Sequence, residues 1–375
     1  MKRAAAILAP VLSLALTLAM SATYADAAEP ATDHGHGHLP GLAWQQRTLD
    51  ADQSFRGLDA VSRRTAWVAG ESTSEGPGTV WRTTDGGASW QNVSPPASDG
   101  LMFRDIEARS ARTAVALAIG PGEASRIYRT TDGGQTWQET FRNPAEQAFY
   151  NCVDFYPGGR RGLAVSDPVD GKFRILATND GGKSWSVMPS AGMPDSTGEY
   201  NFSASGDCLV IRGRHAWFGS GGSSSRVFHS SDRGRTWTAS DSTIPAGESA
   251  GVFGLAFRTP WQGVAVGGDF AEPADGVDAS AYTRHGRTWT SGGDLAHLGE
   301  DASWVSVLPR TLVVVGESGD TAGSSISLDG GRSWKQFSKT GFHALDCTVD
   351  LSCWAAGGDG RVARLRLRPA GIGGQ

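Results

Sequence analysis

A short motif recurs along this chain with a period that few folds accommodate. Its copies read Ser/Thr-x-Asp-x-Gly-x-Ser/Thr-Trp, and their tryptophans lie between 45 and 52 residues apart. A period near ~48 residues matches one four-stranded blade of a β-propeller. The complete copies are Thr83–Trp90, Thr130–Trp137, Thr178–Trp185, Ser230–Trp237 and Ser327–Trp334, and a shortened copy without the aspartate is Thr283–Trp289.

The residues of this motif, an Asp box, are those that a tight turn needs. The aspartate can accept hydrogen bonds from backbone amides of its own turn, and the glycine permits positive φ where the chain reverses. One carboxylate per turn is too few for calcium. We therefore predict a structural role for the box aspartates, which are Asp85, Asp132, Asp180, Asp232 and Asp329.

The number of blades follows from short apolar runs that predict the second strand of each blade. Six runs, such as Ala66–Gly70, precede a box, whereas a seventh, Trp354–Gly358, has no box after it. Ala43–Leu49 resembles the strand that follows a box and can complete this last blade. The sequence therefore predicts an all-β, seven-bladed propeller with Asp-box repeats, its ring closed by the N-terminal strand.

The N-terminus has the features of a secretory signal peptide. Lys2 and Arg3 precede the apolar run Ala4–Met20, and Ala25 and Ala27 fit a cleavage site. A retained membrane anchor is the alternative. We expect an exported, periplasmic or secreted monomer without a transmembrane segment in the mature chain. The expected parts are a signal peptide over 1–27, a linker over 28–38, the propeller over 39–368 and a flexible tail over 369–375.

Four cysteines suit an oxidising compartment and allow two disulfides in three pairings. Cys347 and Cys353 would face each other across a tight hairpin, which leaves Cys152 and Cys208 as the second pair. The alternative is four buried thiols that act as small apolar residues of the core.

No cofactor is predicted. His34, His36 and His38 alternate with glycine and could gather a metal ion, but their Gly-, Ala- and Pro-rich surroundings favour a solvated linker. The formal net charge of -5 argues against nucleic-acid binding. Neither a dinucleotide-binding glycine motif nor a C-x-x-C pair suggests redox chemistry.

Functional side chains are expected at the mouth of the central channel, on the face away from the boxes. Alignment of first strands places Arg56 and Arg104 at equivalent positions of adjacent blades, where two guanidiniums could bind a carboxylate or phosphate. Further candidate ligand-binding or partner-binding residues at this face are Tyr150, Asp167, Asp170, Asp269 and Glu317.

A set of acidic residues also recurs at one position of the first strands. This repetition favours a structural role, such as hydrogen bonding to the backbone of a neighbouring blade. The residues are Asp59, Glu107, Asp154 and Asp346.

Several phrases of the blades resemble one family in particular. They are Ser54–Leu58, Thr65–Gly70, Arg82–Gly87, Phe103–Ile106 and Asp167–Gly171. Together they resemble bacterial relatives of the photosystem II stability and assembly factor, the YCF48-type propellers. The resemblance implies a non-enzymatic scaffold that binds protein partners, membrane-complex components among them.

A sialidase-like or other glycoside hydrolase is the alternative function, because sialidases share the propeller and the Asp boxes. Such enzymes need an arginine triad and a Tyr–Glu nucleophile pair. Phe55-Arg56 faintly resembles their first arginine motif, and Tyr150 and Glu199 are the residues that could serve as the pair.

Overall fold

The structure, a computed structural model, describes residues 41–318 and 321–367 and consists of seven four-stranded antiparallel blades. The predicted fold class is confirmed. In strand order, blade 1 is Gln53–Ala60, Ala66–Ser72, Thr79–Thr83 and Gln91–Asn92; blade 2 is Met102–Ala108, Ala114–Ile119, Arg126–Thr130 and Gln138–Arg142; blade 3 is Tyr150–Phe155, Gly162–Val169, Lys172–Thr178 and Ser186–Val187; blade 4 is Leu209–Arg212, His215–Gly219, Arg226–Ser230 and Thr238–Asp241; blade 5 is Ala250–Thr259, Gln262–Asp269, Ser280–Thr283 and Thr290–Gly293; blade 6 is Asp301–Trp304, Leu312–Ser318, Thr321–Ser327 and Lys335–Ser338; blade 7 is Ala344–Cys347, Cys353–Ala356, Arg361–Leu367 and the N-terminal Leu42–Thr48.

Few elements lie outside the blades. The short strands Glu199–Tyr200 and Gly221–Gly222 extend the sheet of blade 5, and Gly122–Ala124, Ser190–Gly192 and Gly206–Cys208 form single 3-10 turns. Within the described ranges no helix is long and apolar enough to cross a membrane. The expected signal peptide, the linker with His34, His36 and His38, and the tail lie outside the described residues.

The ring closes as predicted, through the N-terminal strand. Leu42–Thr48 pairs antiparallel with Arg361–Leu367 along its full length. The indole Nε1 of Trp44 donates a hydrogen bond to Ser324 Oγ of blade 6 at 2.9 Å, and its ring meets Phe342 edge-on at 5.0 Å. The first described strand therefore joins blade 7 to blade 6 and covers the outer edge of Arg361–Leu367.

Each box turn is stabilised by its own aspartate. In the first box, Asp85 Oδ1 accepts the amide of Ser89 at 2.9 Å and Oδ2 accepts its hydroxyl at 2.6 Å. These bonds, the hydroxyl's above all, lower the pKa of Asp85 to about 2. The same contacts recur at Asp132, Asp180, Asp232 and Asp329.

The box turns identify one face of the molecule. The amide of Gly86 donates to the carbonyl of Arg64, in the turn between the first two strands of the same blade. Equivalent bonds occur in blades 2, 3 and 6. The box turns and the first-to-second-strand turns therefore share a face, called here the box face, and the starts of the first strands lie on the opposite, mouth face.

The core lies mainly between blades, where tryptophans of the repeat meet. Trp67 of blade 1 contacts the box residue Trp137 of blade 2 edge-on at 6.4 Å, and Trp90 meets Trp354 of blade 7 at 5.9 Å. Such pairs add to the stabilisation that apolar burial provides.

We predict that Trp44→Ala lowers the free energy of unfolding by about 2–3 kcal/mol, because it removes aromatic packing and a hydrogen bond at the ring closure. Gln46→Ala, an exposed change on the same strand, should stay within about 0.5 kcal/mol of the unmodified protein. Chemical denaturation measures both. Equal effects of the two substitutions would contradict the assigned role of Trp44.

Candidate binding site at the channel mouth

The first strands of successive blades contact one another in a ring around the central channel. At five junctions a carboxylate of one blade accepts a hydrogen bond from a backbone amide of a neighbouring blade. The bonded pairs are Asp59 with Ala108, Asp105 with Val153, Asp154 with Ile211, Asp301 with Leu345 and Asp346 with Ala60, at 2.5–2.9 Å.

This ring confirms the structural role predicted for Asp59, Asp154 and Asp346. At blade 2 the prediction chose the wrong residue, since Asp105 rather than Glu107 accepts the amide of Val153. Asp105 lies two residues before Glu107 in the same first strand, and Glu107 instead hydrogen-bonds the side chain of Asp154 in blade 3.

The ring carboxyls are buried or half-buried, and removal from water raises their pKa values. The pKa of Asp154 rises to about 7 and that of Asp301 to about 8. The pKa values of Asp59, Asp105 and Asp346 are also raised, by burial first. Carboxyls of the channel therefore retain protons to higher pH than solvated ones do.

A loop over residues 201–208 closes the channel beneath the mouth; we call it the plug loop. Its 3-10 turn contacts the first strands of blades 1, 2, 3 and 5. Asp167 Oδ1 accepts the amide of Asn201 at 2.9 Å, and Cys208 is disulfide-bonded to Cys152 of blade 3. Gly206 lies so close to Asp105 that a Cβ atom would come within 2.4 Å of its Oδ1.

Above the plug loop lies a depression of about 360 Å³, called here the mouth depression. Arg56 Nη1 donates to the carbonyl of Ala204 and to Glu300 Oε1, both at 3.1 Å. Arg104 donates to the carbonyl of Ser203 at 3.3 Å and to Glu71 Oε1 at 2.8 Å. The plug loop thus holds both arginines side by side at the floor of the depression.

The two arginines retain hydrogen-bonding capacity. The Nε atoms of Arg56 and Arg104 are buried and have no hydrogen-bond partner among the described residues. Burial, followed by the neighbouring charge of Arg56, lowers the pKa of Arg104 to about 10. A bound anion would relieve both effects, since it would accept hydrogen bonds and offset the repulsion.

Aromatic side chains border the arginines. Phe202 of the plug loop meets Phe253 edge-on at 5.1 Å and Phe270 at 5.9 Å. Phe270 is 51% exposed. An exposed aromatic beside half-buried guanidiniums is a combination typical of protein-binding surfaces.

Glu300 accepts a hydrogen bond from Arg56 and is itself held in place by two neighbouring groups. Its Oε2 accepts His343 Nδ1 at 2.8 Å and the amide of Glu317 at 2.7 Å. Burial alone would raise the pKa of Glu300, but the charges of His343 and Arg56 hold it below its ordinary value. Glu300 is therefore a positioning carboxylate that fixes the guanidinium of Arg56.

Among the seven candidate residues predicted from the sequence, Arg56 and Arg104 line the mouth depression. Tyr150 is instead fully buried against Phe141, and burial raises its pKa to about 12. Asp167 anchors the plug loop, and Glu317 pairs with Arg361. Asp269 accepts the amide of Ala271, and Asp170 occupies an exposed turn at φ 54°.

Alignment of the repeats does not identify the residues that the plug loop, blade 5 and the connection from blade 5 to blade 6 contribute, namely Phe202, Phe253, Phe270, Leu298 and Glu300. One signal was available. The connection from Val187 to Leu209 is the longest between blades of the described chain, and long connections often carry function.

These features define an Asp-box propeller with a ligand-sized depression at its channel mouth. The family model of the BNR/Asp-box repeat matches residues 128–139. Two similar solved structures are "YCF48 bound to D1 peptide", with 17% identity and a TM-score of 0.58 over 87% of this chain and 95% of that one, and "YCF48 from Cyanidioschyzon merolae", with 17% identity and a TM-score of 0.59 over 86% and 99%. At this level of sequence identity, the structural similarity shows that this chain has the same fold as those proteins. A search of curated proteins gave no match.

The buried ring predicts an unusual pH dependence. Because the folded pKa values of Asp154 and Asp301 exceed those of unfolded aspartate, the folded state binds more protons between about pH 4 and pH 8. The free energy of unfolding should therefore fall as pH rises through this window. Thermal unfolding at pH 5 and pH 8.5 measures the change.

Asp301→Asn removes one titrating group from the ring and should flatten this fall. Asp170→Asn, at an exposed turn, should leave the profile unchanged. A protein more stable at pH 8.5 than at pH 5 would contradict the ring's assigned electrostatics.

Proposed function

We propose that this protein is an exported, non-enzymatic scaffold that binds a segment of a protein partner at the mouth depression. The observation that carries the proposal is the adjacent pair Arg56 and Arg104 beside the half-exposed Phe270. Their buried Nε atoms have no hydrogen-bond partner in the described part of the chain. A pre-positioned guanidinium pair needs little reorganisation on binding.

The charges at the site favour a carboxylate as the recognised group. Arg56 and Arg104 are each already paired on one edge, with Glu300 and Glu71 respectively. The site is therefore near electrical balance and suits one negative charge better than several. A peptide carboxylate followed or preceded by an apolar side chain would match both the guanidiniums and the phenylalanines.

Two further observations support this class of function. One similar structure is described as YCF48 bound to a D1 peptide, so a propeller of this fold can take a peptide ligand. The signal-peptide features and the two disulfides suit an exported protein. Assembly of a membrane complex is the role that the family resemblance suggests.

The two residues nominated as the nucleophile pair of a glycoside hydrolase are both buried in the structure. Tyr150 lies in the core. Glu199 is also buried, where it accepts the hydroxyl of Ser220 at 2.6 Å and Arg226 Nε at 3.1 Å. Neither residue lines the mouth depression, so the geometry favours binding over hydrolysis.

A selection of random peptides on the immobilised protein tests the proposal. We expect the selected peptides to combine a carboxylate with aromatic or aliphatic side chains. Phe270→Ala and Arg104→Gln should each weaken their binding at least ten-fold, since they remove the exposed aromatic and one guanidinium. Isothermal titration calorimetry measures the change.

Trp261→Ala is the matched control, because Trp261 is also half exposed, at 52%, but lies in a first-to-second-strand turn on the box face. It should change the affinity less than two-fold. Weakening by Trp261→Ala equal to that by Phe270→Ala would overturn the assignment of the site.

A further inference from the structure

A second depression lies on the box face, between blades 3 and 4. It measures about 410 Å³ and belongs to no part of the mouth. We call it the arginine pocket after its three guanidinium side chains. Its lining residues are Tyr156, Pro157, Arg160, Arg161, Asn179, Gly213 and Arg233.

The pocket is cationic, and its arginines are not engaged in ion pairs among the described residues. Within residues 41–318 and 321–367, no ion pair involves Arg160, Arg161 or Arg233. Arg160 uses its Nε to bind the carbonyl of Asn179 at 2.8 Å, which orients the guanidinium. The nearby carboxylate of Asp232 accepts the amide and hydroxyl of Thr236 in its own box turn and keeps its negative charge. An adjoining depression, lined by Asp232 and Arg233, adds Arg214 and Arg235 to the same surface, so positive charges outnumber negative ones there.

Arg233 occupies a backbone position that costs stability. In four other boxes the residue after the aspartate is glycine, with φ between 81° and 85°; in the box of blade 4 it is Arg233, with φ 67°. Non-glycine residues are disfavoured in this left-handed region. Non-glycine residues at strained backbone positions cluster at functional sites.

A buried hydroxyl points to a ligand independently. Tyr156 lines the pocket and is only 5% exposed, yet its hydroxyl has no hydrogen-bond partner among the described residues. A buried donor without an acceptor destabilises the folded protein. An oxyanion in the pocket would supply acceptors to this hydroxyl and to the arginines.

We propose that the arginine pocket binds a phosphate group. Three guanidiniums in one pocket match the double negative charge and tetrahedral oxygens of a phosphate monoester better than a single carboxylate. The cavity leaves room for the group to which the phosphate is attached. The ligand is therefore a small phosphorylated molecule or the headgroup of an anionic phospholipid. This site is independent of the peptide-binding function proposed for the opposite face.

Two probes distinguish these sources: inorganic phosphate in calorimetric titrations, and vesicles of phosphatidylcholine with phosphatidic acid in sedimentation assays. Arg233→Gly restores the glycine of the other boxes, so the melting temperature should stay equal or rise. The same variant should bind whichever of the two probes the unmodified protein binds at least five-fold more weakly. Arg112→Gln is the matched control, because Arg112 holds the equivalent turn position to Arg160 in blade 2 but lines neither pocket.

Phosphate binding that Arg233→Gly weakens and Arg112→Gln preserves supports the site and indicates a soluble ligand. The same pattern with vesicles alone supports it and indicates a lipid headgroup. Absence of binding to both probes would overturn the proposal, as would equal losses in Arg233→Gly and Arg112→Gln, which would indicate general charge attraction.

Discussion

The hydrogen bonds between channel carboxylates and the amides of neighbouring first strands are the interaction on which the rest of this structure depends. Apart from the pairing of Gly221–Gly222 with blade 5, the blades are separate sheets, so packing alone would leave the rotation between them loosely defined. A carboxylate such as Asp59 or Asp346 fixes one first strand against the next at a single atom. The cost is a set of buried acidic groups, which stay protonated to unusually high pH.

This ring also determines where a ligand can bind. The carboxyls and the plug loop occupy the channel, and Gly206 fits against Asp105 with no room for a side chain. A ligand therefore meets the protein at the surface of the mouth rather than within the channel. There the plug loop carbonyls hold Arg56 and Arg104 in place. The plug loop thus both fills the channel and positions the two arginines of the proposed binding site.

The repeats explain how much of this could be predicted from the sequence. The box period, the box-less seventh run and the strand around Trp44 were sufficient for the fold and its closure, because each depends on local turn chemistry and strand order. Alignment of first strands also located Arg56 and Arg104. The prediction for Tyr150 as a binding residue was wrong, because its position at the start of a strand did not reveal that its ring packs into the core against Phe141.

The remaining site residues lie outside the repeat. The plug loop is an insertion with no counterpart in other blades, so no alignment could place Phe202 beside Phe253. Glu300 precedes its first strand and is positioned by His343 of the next blade, a contact between residues 43 positions apart. Such contacts depend on how blades meet in space and have no signature in a local pattern.

If the mouth face, and not the box face, receives the protein partner, a bound peptide should change hydrogen–deuterium exchange at the mouth. With a selected peptide present, exchange should slow in the plug loop and around Phe270 and stay unchanged in the box turns. Protection confined to the box turns, with the plug loop unaffected, would contradict binding at the mouth face.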